Sequence, residues 1–283
     1  MYRAYEFKVD SDIQDSLFKG YTKIGQERLD KDAESISELL SEVVKDGTID
    51  GSTLMEKYFP ALRKDVFISY SHHDQNLAYS FAGFLQRNFG LTVFFDSLFW
   101  GSADKLLKEI DQIYCFQPAS NTYNYKKRNI TTSHVHAMLT SAIMKAMDQA
   151  EIVIFLNTPG AVLQISEAVK NGNNDSTLSP WIYEEVLLTT MLKVTDWSEY
   201  RSEQRFDENA LMHYDRKMEI AYKLPKEKLI PLTNEQILEW YRLYLERNEG
   251  KEPYGGLVAR FHKQDKHPLN ILYEITCGID FET

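Results

Sequence analysis

The stretch Asp65-Val-Phe-Ile-Ser-Tyr-Ser-His-His-Asp74 indicates the fold class of the chain. Its apolar run predicts a buried strand, and Asp74 follows a polar turn where a helix N-cap is expected. Gly90 ends the predicted helix, and a second strand follows at once over residues 91–96. Strand, helix and strand with short connections predict a βαβ unit with parallel strands and a right-handed crossover. The apolar stripe of the helix consists of Leu77, Ala78, Phe81, Phe84 and Leu85.

Polar side chains gather where these two predicted strands end. Ser69, Tyr70 and Ser71 follow the first strand, and Asp96 ends the second. Ligands of open parallel sheets bind at the carboxyl ends of the strands. The four residues therefore predict a binding site at one edge of the sheet.

The composition is typical of a folded protein. Of the 283 residues, 43% are hydrophobic and 26% are charged, and this length suffices for one large domain or a main domain with an extension. The longest apolar run has about five residues, whereas a bilayer span needs about 20, and the first residues lack the apolar core of a signal peptide. Two cysteines and a net charge of −10 favour a cytoplasmic protein with neither a membrane nor a nucleic acid as its partner.

The chain divides into two predicted parts. Residues 1–62 predict an N-terminal helical extension, because a helical apolar face runs through residues 31–44. That extension either packs on the main domain or forms a surface for a partner or for self-association. Residues 63–283 predict the α/β domain, with a third strand at 151–157 and a fourth at 217–225.

Two connections of this domain carry predictions of their own. Ser97 to Asp104 are predicted to form a loop after the second strand, followed by a helix. Residues 111–132 form an excursion whose later part lacks clear periodicity, and its length is typical of a functional loop or a lid. Ser133 is then predicted to cap the next helix.

The segment Ser179-Pro-Trp-Ile-Tyr-Glu-Glu185 holds the pattern with the clearest chemistry. A serine cap followed by proline predicts a helix start, and Trp181 and Glu185 share one helical face because they are four residues apart. A carboxylate beside an aromatic ring suits cleavage of an N-glycosidic bond, since it stabilises the oxocarbenium-like ribose. The alternative interpretation is a solvated acid that the helix dipole favours near the helix start.

Other familiar site motifs are absent. The chain has no Gly-x-Gly-x-x-Gly, Walker or Gly-x-Ser-x-Gly pattern. His72-His73 and His134-x-His136 lack further ligands at metal-binding spacing, so no metal site is predicted. Cys115 has no nearby feature that would activate a thiol, and we interpret it as a packing residue.

Three segments resemble the TIR (Toll/interleukin-1 receptor) domain family, in the order in which that family carries them. Asp65–Asp74 resembles its first sequence box. Thr92–Asp96 resembles its second strand, which in the family is followed by the mobile loop called BB. Ser179–Glu185 resembles the helix that carries the glutamate of NAD-cleaving members. The three segments together span roughly residues 64–195.

The resemblance implies a flavodoxin-like TIR fold, with a central parallel sheet flanked by helices. It also implies NAD⁺ glycohydrolase or ADP-ribosyl cyclase (transferase) activity, in which NAD⁺ is the substrate and no resident cofactor is needed. By position, Glu185 is the catalytic carboxylate, and the adjacent Glu184 is the competing candidate. The implied substrate-binding residues are Ser69, Tyr70 and Ser71 beside nicotinamide, Asp96, Phe99 and Trp100 beside the nucleotide, and Trp181 as the support of Glu185.

The family resemblance further implies partners. Active TIR domains associate head to tail, so a homo-oligomer is expected. Stand-alone TIR proteins with extra segments resemble bacterial anti-phage components, including the signal-producing proteins of Thoeris-type systems, which implies a phage trigger or a downstream effector protein. Two alternatives stay open: a non-enzymatic TIR interaction module in which Glu185 is a surface acid, and a nucleotide-binding α/β protein of another family.

Overall fold

The structure is a computed structural model that describes residues 1–9, 14–37, 55, 58–59, 63–162, 176–177, 179–201, 222–223, 226–248 and 267–279. Within these ranges the strands are β1 (Arg3–Lys8), β2 (Val66–Ser69), β3 (Val93–Phe95), β4 (Phe116–Gln117), β5 (Thr122–Tyr123), β6 (Ile152–Asn157), β7 (Ser176–Thr177), β8 (Tyr222–Lys223) and β9 (Leu229–Leu232).

The helices begin with α1 (Thr22–Ser37), α2 (Gln75–Phe89), α3 (Asp96–Tyr114) and α4 (Tyr125–Gln149). They continue with α5 (Pro180–Met191), α6 (Trp197–Arg201), α7 (Asn234–Arg247) and α8 (Pro268–Cys277). A π-helical turn at Gln14–Phe18 precedes α1, and a 3-10 turn at His72–Asp74 precedes α2. Within the described part of the chain, no helix combines the length and apolarity that crossing a bilayer requires.

Among the described residues, five strands form a central parallel sheet in the order β3-β2-β6-β1-β9. This α/β architecture confirms the predicted fold class and is compatible with a flavodoxin-like fold. The predicted βαβ unit is confirmed as β2, α2 and β3, and Gly90 ends α2 in the left-handed conformation with φ 69°. The chain passes from β2 outward to β3 and then returns to β6 on the other side of β2. Such a reversal of direction opens a crevice at the carboxyl ends of the strands.

The prediction of a helical extension is wrong at its first residues. Arg3–Lys8 form β1, which lies between β6 and β9 and pairs in parallel with both. Tyr5 and Phe7 are completely buried, and the flanking strands supply hydrogen-bond partners on both sides. The helix predicted over residues 31–44 is confirmed as far as α1 reaches, and the rest of that prediction lies outside the described residues.

The predicted loop between Ser97 and Asp104 is helical instead. The helix α3 begins at Asp96, directly after β3, and continues through this segment. Its buried side chains recur at intervals of three or four residues and form one apolar stripe, which stabilises a continuous helix: Phe99, Ala103, Leu106 and Ile110. The family-type BB loop at this position is therefore absent from these described residues.

Two further boundaries differ from the sequence predictions. The strands β4 and β5 form a hairpin inside the excursion, and α4 begins after Asn124, whose side chain accepts a hydrogen bond from the Lys127 amide. Ser133 does not cap this helix, because its hydroxyl donates to the Asn129 carbonyl one turn earlier. In the region of the fourth predicted strand, β8 pairs only with β7, and β9 supplies the last strand of the central sheet.

Two glycines bring α1 and α2 into close contact. A Cβ atom added to Gly25 would lie 2.1 Å from the Tyr79 carbonyl oxygen. A Cβ atom added to Gly83 would lie 2.1 Å from the Tyr21 carbonyl oxygen. Both distances are far below a van der Waals contact, so any larger residue would push the helices apart.

The Gly83→Ala substitution is therefore expected to lower the free energy of unfolding by about 2–3 kcal/mol, because the new methyl group overpacks the crossing against the backbone. Gly101→Ala in α3 is the matched control, since a Cβ there meets nothing within 4 Å. We expect that control to gain roughly 0.5–1 kcal/mol from the better helix propensity of alanine. Urea unfolding followed by circular dichroism measures both changes, and equal effects would contradict the close crossing.

A buried ionic cluster joins elements at the amino-terminal edge of the sheet. Glu151 directly precedes β6 and is 3% exposed. Its carboxylate accepts hydrogen bonds from Arg201 Nη2 at 2.7 Å and from Arg201 Nε at 3.2 Å, and the Tyr273 hydroxyl donates at 2.8 Å. Arg201 also donates to Asn270 at 2.9 Å. The cluster thus connects β6, α6 and α8.

Candidate active site

The carboxyl edge of the sheet carries a group of polar side chains contributed by three different parts of the chain. Ser69 is the last residue of β2, and Asp96 is the first residue of α3 after the neighbouring strand β3. Glu185 comes from α5, which follows β6 in the chain. Strands β3, β2 and β6 are adjacent, so this group lies beside the crevice where the direction of the chain reverses.

The predicted start of α5 is confirmed. The Ser179 hydroxyl accepts a hydrogen bond from the Ile182 amide at 3.3 Å, and Pro180 occupies the first helical position. This cap fixes the first residue of the helix and hence the side of the helix on which each residue of the second turn lies. That turn carries Glu185, whose side chain is 1% exposed. The interpretation of Glu185 as a solvated surface acid is therefore wrong.

Glu185 is held by a serine and lies beside a second carboxyl group. Ser69 Oγ donates a hydrogen bond to Glu185 Oε2 at 2.5 Å. Burial raises the pKa of Glu185 well above its ordinary value, and the nearby charge of Asp96 raises it further. Burial also raises the pKa of Asp96 to about 7, an effect opposed by the hydrogen bond from the Ser97 amide at 2.7 Å. The two acids therefore share the site with about one proton between them near neutral pH.

Three buried polar atoms around this pair have no hydrogen bond of standard geometry among the described residues, although Tyr70 interacts with Ser97 and Glu185 interacts with Asp96. They are Glu185 Oε1, the Tyr70 hydroxyl and Ser97 Oγ. Tyr70 is 2% exposed, and burial raises its pKa, with a further contribution from the charge of Asp96. Because buried polar groups are almost always paired in folded proteins, such a cluster is typical of a site that a ligand completes.

The acidic pair has no basic partner in the described part of the chain. Neither Asp96 nor Glu185 forms an ion pair with a lysine or an arginine there. The other buried acids that accept a charged hydrogen bond show the usual arrangement, since Glu151 pairs with Arg201 and Asp111 pairs with Arg128. The site thus carries negative charge that the protein itself does not neutralise, which is costly unless a proton or a ligand compensates it.

The adjacent glutamate faces another part of the protein. Glu184 is half-buried, and burial raises its pKa while a hydrogen bond with Thr140 of α4 lowers it. Trp181 is also half-buried, and its ring lies edge-on to His136 of α4 at a centroid distance of 5.3 Å. Both residues therefore contact α4, whereas Glu185 contacts the sheet.

The remaining predicted site residues lie apart from the acidic pair. Ser71 accepts a hydrogen bond from the His73 amide at 3.4 Å and so caps the 3-10 turn. Phe99 is 1% exposed and packs edge-on against Phe94 and Phe59 in the core. The side chain of Trp100 lies outside the described part of the structure. The structure brings together Ser69, Tyr70, Asp96 and Glu185 of the predicted set.

Sequence reasoning missed two contributors to this edge. Ser97 was assigned only to a loop, although its position next to Asp96 made it a candidate. The loop after β6 was predicted only as a strand end, but Thr158 Oγ1 donates to Asp74 Oδ2 at 2.5 Å and accepts from the Ala161 amide at 3.1 Å. Asp74 therefore binds this loop. Asp74 was predicted to cap α2, but its side chain makes no capping hydrogen bond to that helix.

Comparison with known proteins adds no family to these observations. No family model, no curated protein and no solved structure matches the chain. Among the residues that the structure describes, no three histidine, cysteine, aspartate or glutamate side chains are grouped in a way that would hold a metal ion. The resemblance to TIR domains stays a prediction.

Proposed function

We propose that the chain is an NAD⁺-cleaving enzyme of the TIR type, with Glu185 as its catalytic carboxylate. One observation carries the proposal. A buried glutamate, held by Ser69 and placed beside Asp96, has one oxygen, Oε1, without a hydrogen bond of standard geometry to any described residue. A buried acid without a basic partner is suited to a substrate that carries or develops positive charge.

The chemistry follows from the charge of the substrate. When the bond between ribose and nicotinamide breaks, the bonding electrons leave with nicotinamide and the ribose becomes oxocarbenium-like. In our proposal Ser69 fixes one oxygen of Glu185, and the free oxygen Oε1 faces the developing positive charge. Attack by water would yield ADP-ribose and release a proton, whereas attack by a nitrogen of the adenine would yield a cyclic product.

The closed state of the site bears on how the activity is controlled. Ser69 and Glu185 are each 1% exposed, so a dinucleotide reaches them only after the site opens. We propose that self-association, which a trigger promotes in the cell, produces this opening. A latent enzyme of this kind fits a cytoplasmic role in anti-phage defence, in which a signal derived from ADP-ribose or the depletion of NAD⁺ is released on demand.

The test is incubation of the purified chain with NAD⁺ at high protein concentration, with products identified by mass spectrometry. Glu185→Gln is expected to lower the rate of nicotinamide release at least about 100-fold, because the variant loses the charge that stabilises the transition state. Glu184→Gln is the matched control and is expected to stay within roughly 5-fold of the wild type, since its charge lies against α4.

The outcome of this assay separates the alternatives. Nicotinamide release that survives Glu185→Gln but is lost in Glu184→Gln would transfer the catalytic role to the neighbouring residue. Equal release by all three proteins would remove both glutamates from the mechanism. Absence of release in the wild type, also when the chain is concentrated enough to assemble, would contradict the proposed activity.

A further inference from the structure

Asp96 has no role in bond cleavage as proposed so far, yet its position adjoins the catalytic group. It starts α3 at the end of β3, it is 4% exposed, and its carboxyl group interacts with that of Glu185. The Tyr70 hydroxyl is buried, has no hydrogen bond of standard geometry among the described residues, and interacts with Ser97 and with the charge of Asp96. Two acids and a phenol thus lie close together in one buried region.

We propose that Asp96 and Glu185 form a cation-selective subsite, in which entry of a positively charged nicotinamide ring expels the proton that the two carboxyl groups share. The inference rests on the proposed function for the identity of the ring. Asp96 is then a specificity residue: it makes the site prefer an oxidised, positively charged ring to a neutral ring of the same shape.

The groups around Asp96 and Glu185 are neutral or negatively charged, which favours binding of a cation. Ser69 of β2 contributes a neutral hydroxyl, and burial raises the pKa of Tyr70 and of Tyr79 in α2, which keeps both phenols neutral near pH 7. The charge of Glu184 in α5 raises the pKa of Glu185 less than burial and the charge of Asp96 do. The His72 ring contacts Tyr70 edge-on at a centroid distance of 6.4 Å.

The exchange of a proton for a cation is balanced. In the resting site one carboxyl group is protonated and the other is charged, with the proton held because burial disfavours the charged form and a second adjacent charge would repel the first. When a cation enters, the O–H bond breaks, the proton passes to the solvent, and both carboxylates face the positive ring. A neutral ring offers no charge to replace the proton, so it leaves the pair protonated and binds without proton release.

The test is calorimetric titration near neutral pH of the full chain, at a protein concentration high enough for self-association to open the site, with two small probes. These are 1-methylnicotinamide, which is positively charged, and nicotinamide, which is neutral. We expect the cation to bind roughly 10- to 100-fold more tightly, because its attraction to two buried carboxylates exceeds the work of deprotonation. Titrations in two buffers of different ionisation enthalpy should show release of up to one proton for the cation and none for the neutral ring.

The Asp96→Asn variant tests the assigned residue. With one acid left, the preference for the cation is expected to fall to within about 3-fold, and proton release should shrink, since the remaining Glu185 has no charged neighbour at this position. The Glu184→Gln variant is the matched control and should keep the preference. A folded Asp96→Asn protein, verified by its thermal unfolding, that retains the full preference and the proton release would overturn the assignment.

The outcomes also separate this inference from the proposed enzyme activity. Equal binding of both probes, no binding of either at millimolar concentration, or binding without proton release would overturn the cation subsite even if NAD⁺ is cleaved. Tight, proton-releasing binding of the cation by a chain that never cleaves NAD⁺ would support the subsite and contradict the enzyme.

Discussion

Glu185→Gln is expected to stabilise the folded chain at alkaline pH by a few kcal/mol, while the proposed function expects the same variant to release nicotinamide at least about 100-fold more slowly. The cause is the burial of two neighbouring acids, to which the charge of Asp96 adds at Glu185. Burial and the charge of Asp96 raise the pKa of Glu185, so ionisation of this residue opposes folding. Glutamine has the same shape and no charge, and it retains an oxygen that accepts the hydrogen bond from Ser69. Catalysis and stability should therefore change in opposite directions.

The pH range of this gain follows from proton linkage. An acid whose pKa is raised by folding binds its proton more tightly in the folded chain, so stability falls as pH rises from the unfolded to the folded pKa. For Asp96 these values are 3.8 and about 7, which places the loss of stability between about pH 4 and pH 7. The loss is complete above the folded pKa and absent below the unfolded one.

Urea unfolding across this pH range measures the effect. Each unit of pKa difference corresponds to about 1.4 kcal/mol, so we expect Glu185→Gln or Asp96→Asn to gain a few kcal/mol above neutral pH and little near pH 4. The double variant should gain more than either single one at alkaline pH, because each acid that remains in a single variant is still buried and still opposes folding when it ionises. A variant that is less stable than the wild type at alkaline pH would contradict the shared-proton description of the site.

Arg201→Met is expected to destabilise the chain by about 3–5 kcal/mol at neutral pH, because it leaves the buried carboxylate of Glu151 without its ionic partner. Arg201 supplies two hydrogen bonds to that carboxylate from α6, at 2.7 and 3.2 Å. Burial already raises the pKa of Glu151 despite the opposing charge of Arg201. Without the arginine this pKa rises further, so the deficit should shrink in acid as Glu151 binds a proton.

A second substitution separates this charge effect from lost packing. Glu151→Gln in the Arg201→Met background removes the uncompensated charge, and we expect it to recover much of the lost stability at neutral pH. The Tyr273 hydroxyl still finds an acceptor in glutamine, so its hydrogen bond at 2.8 Å is retained. Thermal unfolding of the single and double variants at neutral and acid pH measures the effect. No recovery in the double variant would assign the loss to the packing of Arg201.

Local patterns explain which parts of the site could be predicted. The apolar run before Ser69, the stripe of α2 and the serine-proline start of α5 each depend on residues close in sequence. Parallel strands align their carboxyl ends, so the meeting of Ser69 with Asp96 followed from the βαβ pattern alone. The approach of Glu185 depended on the resemblance, because helical periodicity does not say against which strand a helix packs.

Long-range contacts explain what could not be predicted. The strand β1 has six residues, and its partners begin at Ile152 and at Leu229, far along the chain. The start of α3 was not predicted because Gly101 and two serines favour a loop. Burial of the apolar stripe from Phe99 to Ile110 stabilises the helix more than these three residues destabilise it. The closure of the site over Glu185 depends on the packing of several elements at once, which no single pattern encodes.

The central position of β1 sets the order in which the sheet can form during synthesis. The ribosome synthesises β1 well before its two neighbours, β6 and β9. Until these are made, β1 has no strand to pair with in the central sheet. The strands and helix β2, α2 and β3 follow one another directly in the chain, so the contacts among these three elements are local and can form early. The insertion of β1 between β6 and β9 is then a late event that joins segments far apart in the sequence. A nascent chain of this topology is expected to depend on chaperones while that strand is unpaired.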